Sequence, residues 1–286
     1  MILSFHPIYE GDVNILCAGR QPDDSDLAAI RKAEAVILPQ GCMESLYRMA
    51  REENRPVFPN YDLRFRHPGK TGQARLFQTL GISHPQTWVF DSVAAFERYG
   101  QEALKTGFPL VLKFDWGGEG DTVFLIEKAS DLQRALSKLK DHERTGQAGF
   151  VLQTFVSGAY RSLRVVVIGD YLKAYWRIQP DPMAFGTSVS KGARIDCDSD
   201  PALRREGRLF ISDFCRQTKI DLAGCDVLFK KNGRKKPRPL LLEINYFFGR
   251  NGLGGSEAFY GILQEQIDRW LKELGLSIPR KKGAQK

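Results

Sequence analysis

The sequence of 286 residues contains few cysteines and no long apolar segment. Its five cysteines are scattered and none forms a Cys-x-x-Cys pair, which argues against a disulfide framework and a zinc ribbon. No apolar run approaches the roughly 20 residues that span a bilayer. Residues 1–7 lack the basic start and apolar stretch of a signal peptide. We therefore expect a cytoplasmic protein with no membrane partner.

The sequence also lacks a charge imbalance outside two short segments. Its formal charge is +8, yet residues 230–238 hold six basic side chains and residues 280–286 hold four, with no acid in either segment. The rest of the chain is therefore close to neutral. A solvated turn and a basic tail explain this pattern, and nucleic-acid binding is not favoured. A docking patch for an acidic partner stays open.

Several common nucleotide and metal motifs are missing. The sequence before Lys70 has Arg64 where a phosphate-binding P-loop requires glycine. The pair Gly118 and Gly120 lacks the third glycine of the dinucleotide-binding fingerprint. No Gly-x-Ser-x-Gly sequence is present, and the four histidines lie too far apart to indicate a metal site. The chemistry must therefore come from other residues.

The order of predicted elements indicates an α/β segment followed by two α+β segments. Up to residue 58, short apolar strands such as residues 13–18 alternate with helices, which predicts a small parallel sheet. Residues 63–69 contain a Pro-Gly pair and are interpreted as a linker. A helix and antiparallel strands follow, with a glycine-rich loop at residues 115–121. The remainder is rich in strands and closes with a helix at residues 256–274.

Two strands near the end of the sequence carry the strongest chemical signal. If residues 225–229 and 240–245 form a hairpin, Asp226 faces Glu243 across the ladder. Asn245 lies two residues further along and points to the same face. Facing carboxylates are costly to bury, and a hard divalent cation such as Mg²⁺ offsets that cost. The alternative is that one acid pairs with a basic neighbour.

A glycine-rich loop follows the strand that contains Lys113. Its glycines, Gly117, Gly118 and Gly120, allow backbone N–H groups to approach phosphate closely. The lysine supplies a point charge to phosphate oxygens. A bare hairpin turn would have the same composition, but together with the acid pair the loop predicts a phosphate-binding lid.

Two arginines are predicted on the same sheet as the acid pair. The turn Gly169-Asp170 pairs two strands so that Arg164 faces Tyr175, and Arg177 is a diagonal neighbour on that face. Two like charges side by side indicate an anion between them. The alternative is that both arginines point to solvent from an edge strand.

These motifs together resemble the ATP-grasp family, and within it the branch of ribosomal-protein glutamate ligases and their relatives. The resemblance covers almost the whole chain in the family's order, and five short motifs in that order are specific. The first two are a lysine with Gly-Ile-x-x-Pro-x-Thr at residues 70–87 and a lysine with the glycine-rich loop at residues 113–120. The third is the hinge at residues 151–156. The last two are Ser-Leu-Arg with its strand at residues 162–169, and Gly-x-Asp with Glu-x-Asn at residues 224–245.

The resemblance implies the ATP-grasp fold, a combination of α/β and α+β units. The expected division is an N-terminal α/β domain at residues 1–67, a subdomain with the glycine-rich lid at 68–157, and a subdomain with the metal site at 158–276. A basic tail would occupy residues 277–286. The two subdomains would clamp the nucleotide between them.

The resemblance also implies an ATP-dependent ligase. A carboxylate would attack the γ-phosphate of ATP to give an acylphosphate, and an amine, less often a thiol, would displace phosphate. The implied cofactors are ATP and Mg²⁺, with two ions expected and Mn²⁺ as an alternative metal. The partners would be a small-molecule carboxylate and amine, with a peptide or protein acceptor and a homo-oligomer left open. A kinase of the same fold and a non-catalytic nucleotide-binding regulatory module are the alternatives.

Each part of the candidate site receives a role from the resemblance. The nucleotide would be held by Lys70, Lys113, Gly117, Gly118, Gly120, Gln153, Phe155 and Val156. Mg²⁺ would be held by Asp226, Glu243 and Asn245. Arg164 would stabilise the transferring phosphoryl group, and Arg177 is the second candidate catalytic residue.

Three positions depart from the family pattern or match it loosely. Thr154 stands in the hinge where an acidic residue is usual, so the base and ribose contacts are not assigned. Residues 246–249, Tyr-Phe-Phe-Gly, follow Asn245 where the family has Ser-Ser-Pro-Gly. This change indicates either a more apolar acceptor pocket or additional core. Lys191 falls near a basic position of a mobile family loop.

Overall fold

The computed structural model describes residues 1–17, 19–118, 120–158, 160–181, 184–233 and 235–279. Arg234 of the basic turn and the basic residues of the tail at 280–286 lie outside the described residues. Within the described part, the strands form three sheets. None of the described helices is long and apolar enough to cross a membrane.

The N-terminal sheet is parallel, as its alternation of strands and helices predicts. Its strand order is β2-β1-β3-β4. Its elements are β1 (Ile2–Ser4), β2 (Val13–Asn14), α1 (Asp24–Lys32), β3 (Ala35–Ile37), α2 (Glu44–Glu52) and β4 (Val57–Phe58). The strand predicted at residues 13–18 is shorter in the structure. The central strand β1 was not predicted, because three residues give no periodic pattern.

The predicted linker at residues 63–69 is wrong over most of its length. Residues Asp62–Arg66 form helix α3, and the next helix, α4, begins at Gly69. Phe65 packs on the Tyr47 ring at 5.3 Å between centroids, and the Arg64 guanidinium lies 4.9 Å from the centre of the Tyr61 ring. Aromatic packing on the N-terminal unit therefore orders a segment whose composition indicates a turn.

The middle sheet is antiparallel in the order β5-β8-β6-β7. Its elements are α4 (Gly69–Thr79), β5 (Thr87–Phe90), α5 (Val93–Tyr99), α6 (Gln101–Leu104), β6 (Leu110–Phe114), β7 (Val123–Ile126), α7 (Ala129–Glu143) and β8 (Phe150–Thr154). One face packs its apolar side chains, including Leu112 and Phe150, against α5 and α7. Strand alternation therefore places Val111, Lys113 and Gln153 on the opposite face.

The third sheet is antiparallel in the order β11-β10-β9-β12-β13. Its elements are β9 (Arg161–Ile168), β10 (Tyr171–Ile178), β11 (Arg194–Asp196), α8 (Pro201–Thr218), β12 (Leu222–Asn232), β13 (Lys235–Asn245) and α9 (Ser256–Glu273). One face, which includes Leu163 and Val165, packs on α8 and α4. The other face carries the acids and arginines at one end and a core at the other.

That core is shared between the N-terminal sheet, the third sheet and α9. Its buried residues include Ile2, Ile37, Phe58, Val166, Ile168, Phe259, Leu263 and Ile267. The Tyr9 hydroxyl also donates a hydrogen bond of 2.8 Å to Asp268 on α9. The first and third sheets therefore pack as one body, and the expected domain division at residues 67/68, 157/158 and 276/277 stays a prediction.

Asp221, just before β12, makes the stability of this body depend on pH. Its Oδ1 accepts a hydrogen bond of 2.8 Å from the N–H of Asn60, and burial raises its pKa to about 7. Because this pKa lies above the unfolded value, the free energy of unfolding should fall as pH rises from about 4 to 7.

We therefore expect Asp221→Asn to be more stable than the unmodified protein at pH 8 and equally stable at pH 4.5. The gain should be about 2–4 kcal/mol, at about 1.4 kcal/mol per pKa unit. Urea unfolding at both pH values measures it, with the exposed Asp141→Asn as the control. A gain of equal size at both pH values would contradict the assignment.

Candidate active site

The β12–β13 hairpin brings the two predicted carboxylates together. Asp226 pairs with Glu243 and Gly224 with Asn245, which confirms the predicted strand pairing. On its other side β12 pairs with β9, so that Asp226 lies opposite Arg164. The Gly169-Asp170 turn sets the expected pairing of Arg164 with Tyr175. Three neighbouring strands therefore deliver polar side chains to one face of the sheet.

The carboxylate of Asp226 is 4% exposed and lies between both predicted arginines. Arg164 donates from Nε to Oδ1 at 2.6 Å and from Nη2 to Oδ2 at 3.2 Å. Arg177 Nη2 lies 2.8 Å from Oδ1, and the Asn245 amide donates to Oδ2 at 3.2 Å. Burial acts to raise the pKa of Asp226, but the two guanidinium groups outweigh it and lower the pKa. In this structure the anion between the arginines is Asp226 itself.

Glu243 differs from Asp226 in having no partner. It lines the cleft, and among the described residues no hydrogen bond or ion pair reaches its carboxylate. A register shift between Asp226 and Val227 leaves Leu242 as an extra residue in β13. Both Leu242 and Glu243 therefore line the cleft, although they are consecutive residues. Sequence alternation could not predict this bulge.

Lys113 faces these acids from the middle sheet. Its residue is 7% exposed, and burial lowers its pKa to about 8, although the charge of Glu243 acts in the opposite direction. Within the described residues its ammonium has no hydrogen-bond or ion-pair partner. A buried cation that lines a cleft without a counter-ion is typical of a site for an anion.

The glycine-rich loop is tied to the start of α4. Lys70 Nζ donates to the carbonyl oxygens of Trp116 and Gly117, each at 3.2 Å. Asp115 Oδ1 accepts a hydrogen bond of 2.6 Å from the N–H of Thr71. A Cβ at Gly69, whose φ is +68°, would lie 2.4 Å from that carboxylate oxygen, so only glycine fits there. Asp115, which sequence analysis did not single out, therefore positions Lys70.

The predicted hinge lines the same cleft as the acids. Gln153, Thr154, Phe155 and Val156 line it, and Gln153 Nε2 donates to Thr87 Oγ1 at 2.8 Å. The side chain of Val156 also belongs to a small apolar cluster that sequence analysis missed, because it joins the hinge to β12 and β13. The members of that cluster are Val156, Leu228, Leu240 and Leu242.

One further contact joins the two loops over the cleft. Lys191 Nζ lies 2.7 Å from Asp121 Oδ1, next to the glycine-rich loop. Both side chains are at least 41% exposed, so the ion pair is weak. Lys191 matches a basic position of a mobile family loop only loosely, and in this structure its charge is directed to Asp121.

These side chains surround one cavity of about 500 Å³ between the middle and third sheets. The predicted site residues that line it are Lys70, Lys113, Gly118, Gly120, Gln153, Phe155, Val156, Arg164, Arg177, Asp226, Glu243 and Asn245. Gly117 does not line it, and a Cβ there would lie 2.6 Å from the Thr122 side chain. The lining has more cationic than acidic side chains, which suits a polyanionic ligand.

The family follows from comparison with known proteins. A family model described as a RimK-like ATP-grasp domain matches residues 70–266, which is more than half of the chain. The chain belongs to this family. Its mixed sheets and helices form the ATP-grasp fold.

Relatives and solved structures agree with this family. The chain is 30% identical over 148 residues to a probable alpha-L-glutamate ligase of Xanthomonas oryzae pv. oryzae (strain MAFF 311018), covering 51% of the chain and 46% of the relative. It is 27% identical over 162 residues to beta-citrylglutamate synthase B of Danio rerio, covering 55% and 38%. The chain thus spans less than half the length of either relative.

A RimK domain ATP-grasp protein from Sphaerobacter thermophilus has the same fold. Its crystal structure aligns with 93% of this chain and 98% of its own, with a TM-score of 0.60 and 17% sequence identity. At this identity the likeness is evidence for the fold alone. It extends over the N-terminal sheet as well as the residues that the family model matches.

Proposed function

We propose that this protein is an ATP-dependent carboxylate–amine ligase that acts through an acylphosphate. The observation that carries the proposal is that Lys113 and Glu243 both line the cleft and that, among the described residues, neither has a hydrogen-bond or ion-pair partner, although the charge of Glu243 acts on Lys113. A cation and an acid left without partners on opposite walls suit a phosphate bound together with a metal ion. The names of the relatives, a glutamate ligase and a citrylglutamate synthase, support the same reaction class.

The nucleotide would lie along the cleft from the hinge to the acids. The apolar cluster and hinge residues suit a flat base, and Lys113 suits a phosphate group. Backbone N–H groups of the glycine-rich loop, with Gly118 and Gly120 on the cleft side, would cover the phosphates. Lys70 would then exchange its carbonyl partners on the loop for phosphate oxygens.

The donor set of the acids fits Mg²⁺. Asp226 and Glu243 offer carboxylate oxygens and Asn245 offers an amide oxygen, which a hard cation prefers. Within the described residues no group of three or more His, Cys, Asp or Glu side chains could hold a metal, so the two carboxylates would be supplemented by the Asn245 amide oxygen and by phosphate oxygens. In this structure the Asn245 amide group is oriented with its N–H toward Asp226, so ligation requires the amide to turn. Mg²⁺ bound there supplies positive charge to the transferring phosphoryl group.

The reaction needs two displacements. A carboxylate oxygen of the substrate attacks the γ-phosphorus, the bond to the β-phosphate oxygen breaks, and ADP leaves. The amine nitrogen then attacks the acyl carbon, phosphate leaves, and the nitrogen loses a proton. Arg164 and Arg177, which both contact Asp226 in this structure, would stabilise the negative charge that moves in both steps.

A product analysis tests this proposal. The protein is incubated with Mg-ATP, with and without a pool of amino acids and small carboxylates, and ADP, free phosphate and new masses are measured together. Equal release of ADP and phosphate that depends on the pool is expected. ADP without free phosphate, with a phosphorylated product, would instead identify a kinase. Binding of ATP with no ADP formed from any pool would favour a regulatory nucleotide-binding module.

A further inference from the structure

Phe247 differs from both of its neighbours in exposure. Its side chain lines the cleft and is 73% exposed. Phe248 is 6% exposed and packs edge-on against Phe259, with 5.9 Å between ring centroids. Tyr246 packs edge-on against Tyr61 at the same separation. Two of these three aromatic residues are therefore core, and the third presents apolar surface to the cavity.

The chain on both sides of Phe247 is held in place. Gln40 Nε2 donates a hydrogen bond of 3.3 Å to the carbonyl oxygen of Tyr246. A Cβ at Gly41 would lie 3.3 Å from the Phe247 ring, so a glycine in the N-terminal unit leaves room for it. The ring therefore has a defined position at the edge of the cavity, even though it is exposed.

Apolar and small residues line part of the cavity. Phe247 is two residues from Asn245, so the two Cα atoms are at most about 7 Å apart. Gly252 packs against the Tyr175 ring so closely that a Cβ there would lie 2.2 Å from it. We call this space the far subsite, formed by Tyr175, Ile195, Phe247, Gly249 and Gly252.

The positive charge near the far subsite is enough to bind only one carboxylate of a substrate. Arg177 lies opposite Ile195 in the sheet, and its Nε is buried without a hydrogen-bond partner among the described residues. One carboxylate can therefore bind beside Arg177. The second arginine nearby, Arg164, lies opposite Tyr175 but binds both carboxylate oxygens of Asp226. A second substrate carboxylate, such as the side chain of glutamate, would therefore lose its hydration without an unengaged cation among the described residues of the far subsite.

We propose that the far subsite binds an apolar side chain of an amino-acid substrate and that Phe247 is its specificity-determining residue. This inference rests on the proposed ligase function and names the class of substrate that the cleft accepts. Such a substrate would lack the side-chain carboxylate of the glutamate that appears in the names of two relatives.

A binding measurement tests the inference without turnover. The protein is saturated with Mg²⁺ and the non-hydrolysable analogue AMP-PNP, and glycine, L-leucine, L-phenylalanine and L-glutamate are titrated by calorimetry. Leucine and phenylalanine should bind at least about tenfold more tightly than glycine and glutamate, since a hydrophobic pocket discriminates by about 10–200-fold. Phe247→Ser should remove this preference and leave glycine unchanged, whereas Phe247→Leu should retain it.

The control is Tyr99→Ser, which removes a 68% exposed ring outside the cavity lining and should leave all four affinities unchanged. Equal binding of leucine and glutamate, preference for glutamate, an unaltered preference in Phe247→Ser, or no binding of any of the four would overturn the inference. Its failure is distinguishable from failure of the ligase function. ADP release with a polar substrate alone would overturn only the inference, and a leucine preference without turnover on any substrate would count only against the ligase function.

Discussion

Replacement of Glu243 by glutamine is expected to reduce kcat by about 10²–10³-fold, the size found when one electrostatic contact to a transition state is removed. Glutamine retains the shape of the side chain and a carbonyl oxygen, but it removes the negative charge that would face the metal ion. Because no described residue pairs with Glu243, the substitution breaks no ion pair of the fold. Thermal unfolding should therefore be unchanged while ADP release falls.

The matched control for this variant is Glu257→Gln, an exposed glutamate in the first turn of α9. It should leave ADP release unchanged. A second measurement is the Mg²⁺ concentration at half-maximal rate, which should rise in Glu243→Gln and not in the control. Full activity of Glu243→Gln at low Mg²⁺ would remove Glu243 from the metal site.

Replacement of Lys113 by methionine should weaken nucleotide binding by at least about tenfold while leaving the protein as stable or more stable. Methionine keeps most of the volume of the side chain, and it removes a cation whose burial is costly. Binding of AMP-PNP by calorimetry and thermal unfolding at pH 7 measure the two effects. Lys272→Met, on the exposed side of α9, is the control. Unchanged nucleotide affinity in Lys113→Met would contradict the assignment.

The lowered pKa of Lys113 predicts that nucleotide binding depends on pH. Because burial lowers its pKa to about 8, the free protein loses this charge as pH rises through 8. Nucleotide affinity should therefore fall between pH 8 and 9.5, and Lys113→Met should lack this fall. The effect on folding has the opposite sign, since the unfolded lysine keeps its proton until about pH 10.4, and the free energy of unfolding should rise with pH above 8.

Sequence reasoning succeeded where local pattern and geometry coincide. The predicted pairing of Asp226 with Glu243 is present, but it depends on two register shifts in the β12–β13 hairpin as well as on the position of the turn. The same reasoning places Arg164 opposite Tyr175, because two residues form that turn. The family motifs added Lys70 on α4, and no local pattern connects Lys70 or Lys113 to the third sheet.

Sequence reasoning failed where tertiary contacts decide the outcome. The bulge at Leu242 is an irregularity of pairing, and alternation cannot anticipate it. Both arginines bind Asp226 in this structure, because a buried carboxylate needs positive charge beside it. This pairing depends on distances between side chains, which the sequence does not give. Phe248 is buried because Phe259 of α9 packs against it, whereas Phe247 is exposed. The sequence around these two residues does not show where Phe259 lies.

The core shared by the first and last elements has a consequence for folding during synthesis. The core of the middle sheet uses residues between 88 and 152 only, so it can form as soon as that stretch has left the ribosome. The N-terminal sheet buries Ile2 and Phe58 against side chains as late as Leu271. At about 5–20 residues per second, α9 emerges on the order of 10–40 s after β4. During that interval the apolar face of the first sheet lacks the part of its core that α9 supplies, and a chaperone is expected to bind there rather than to the middle sheet.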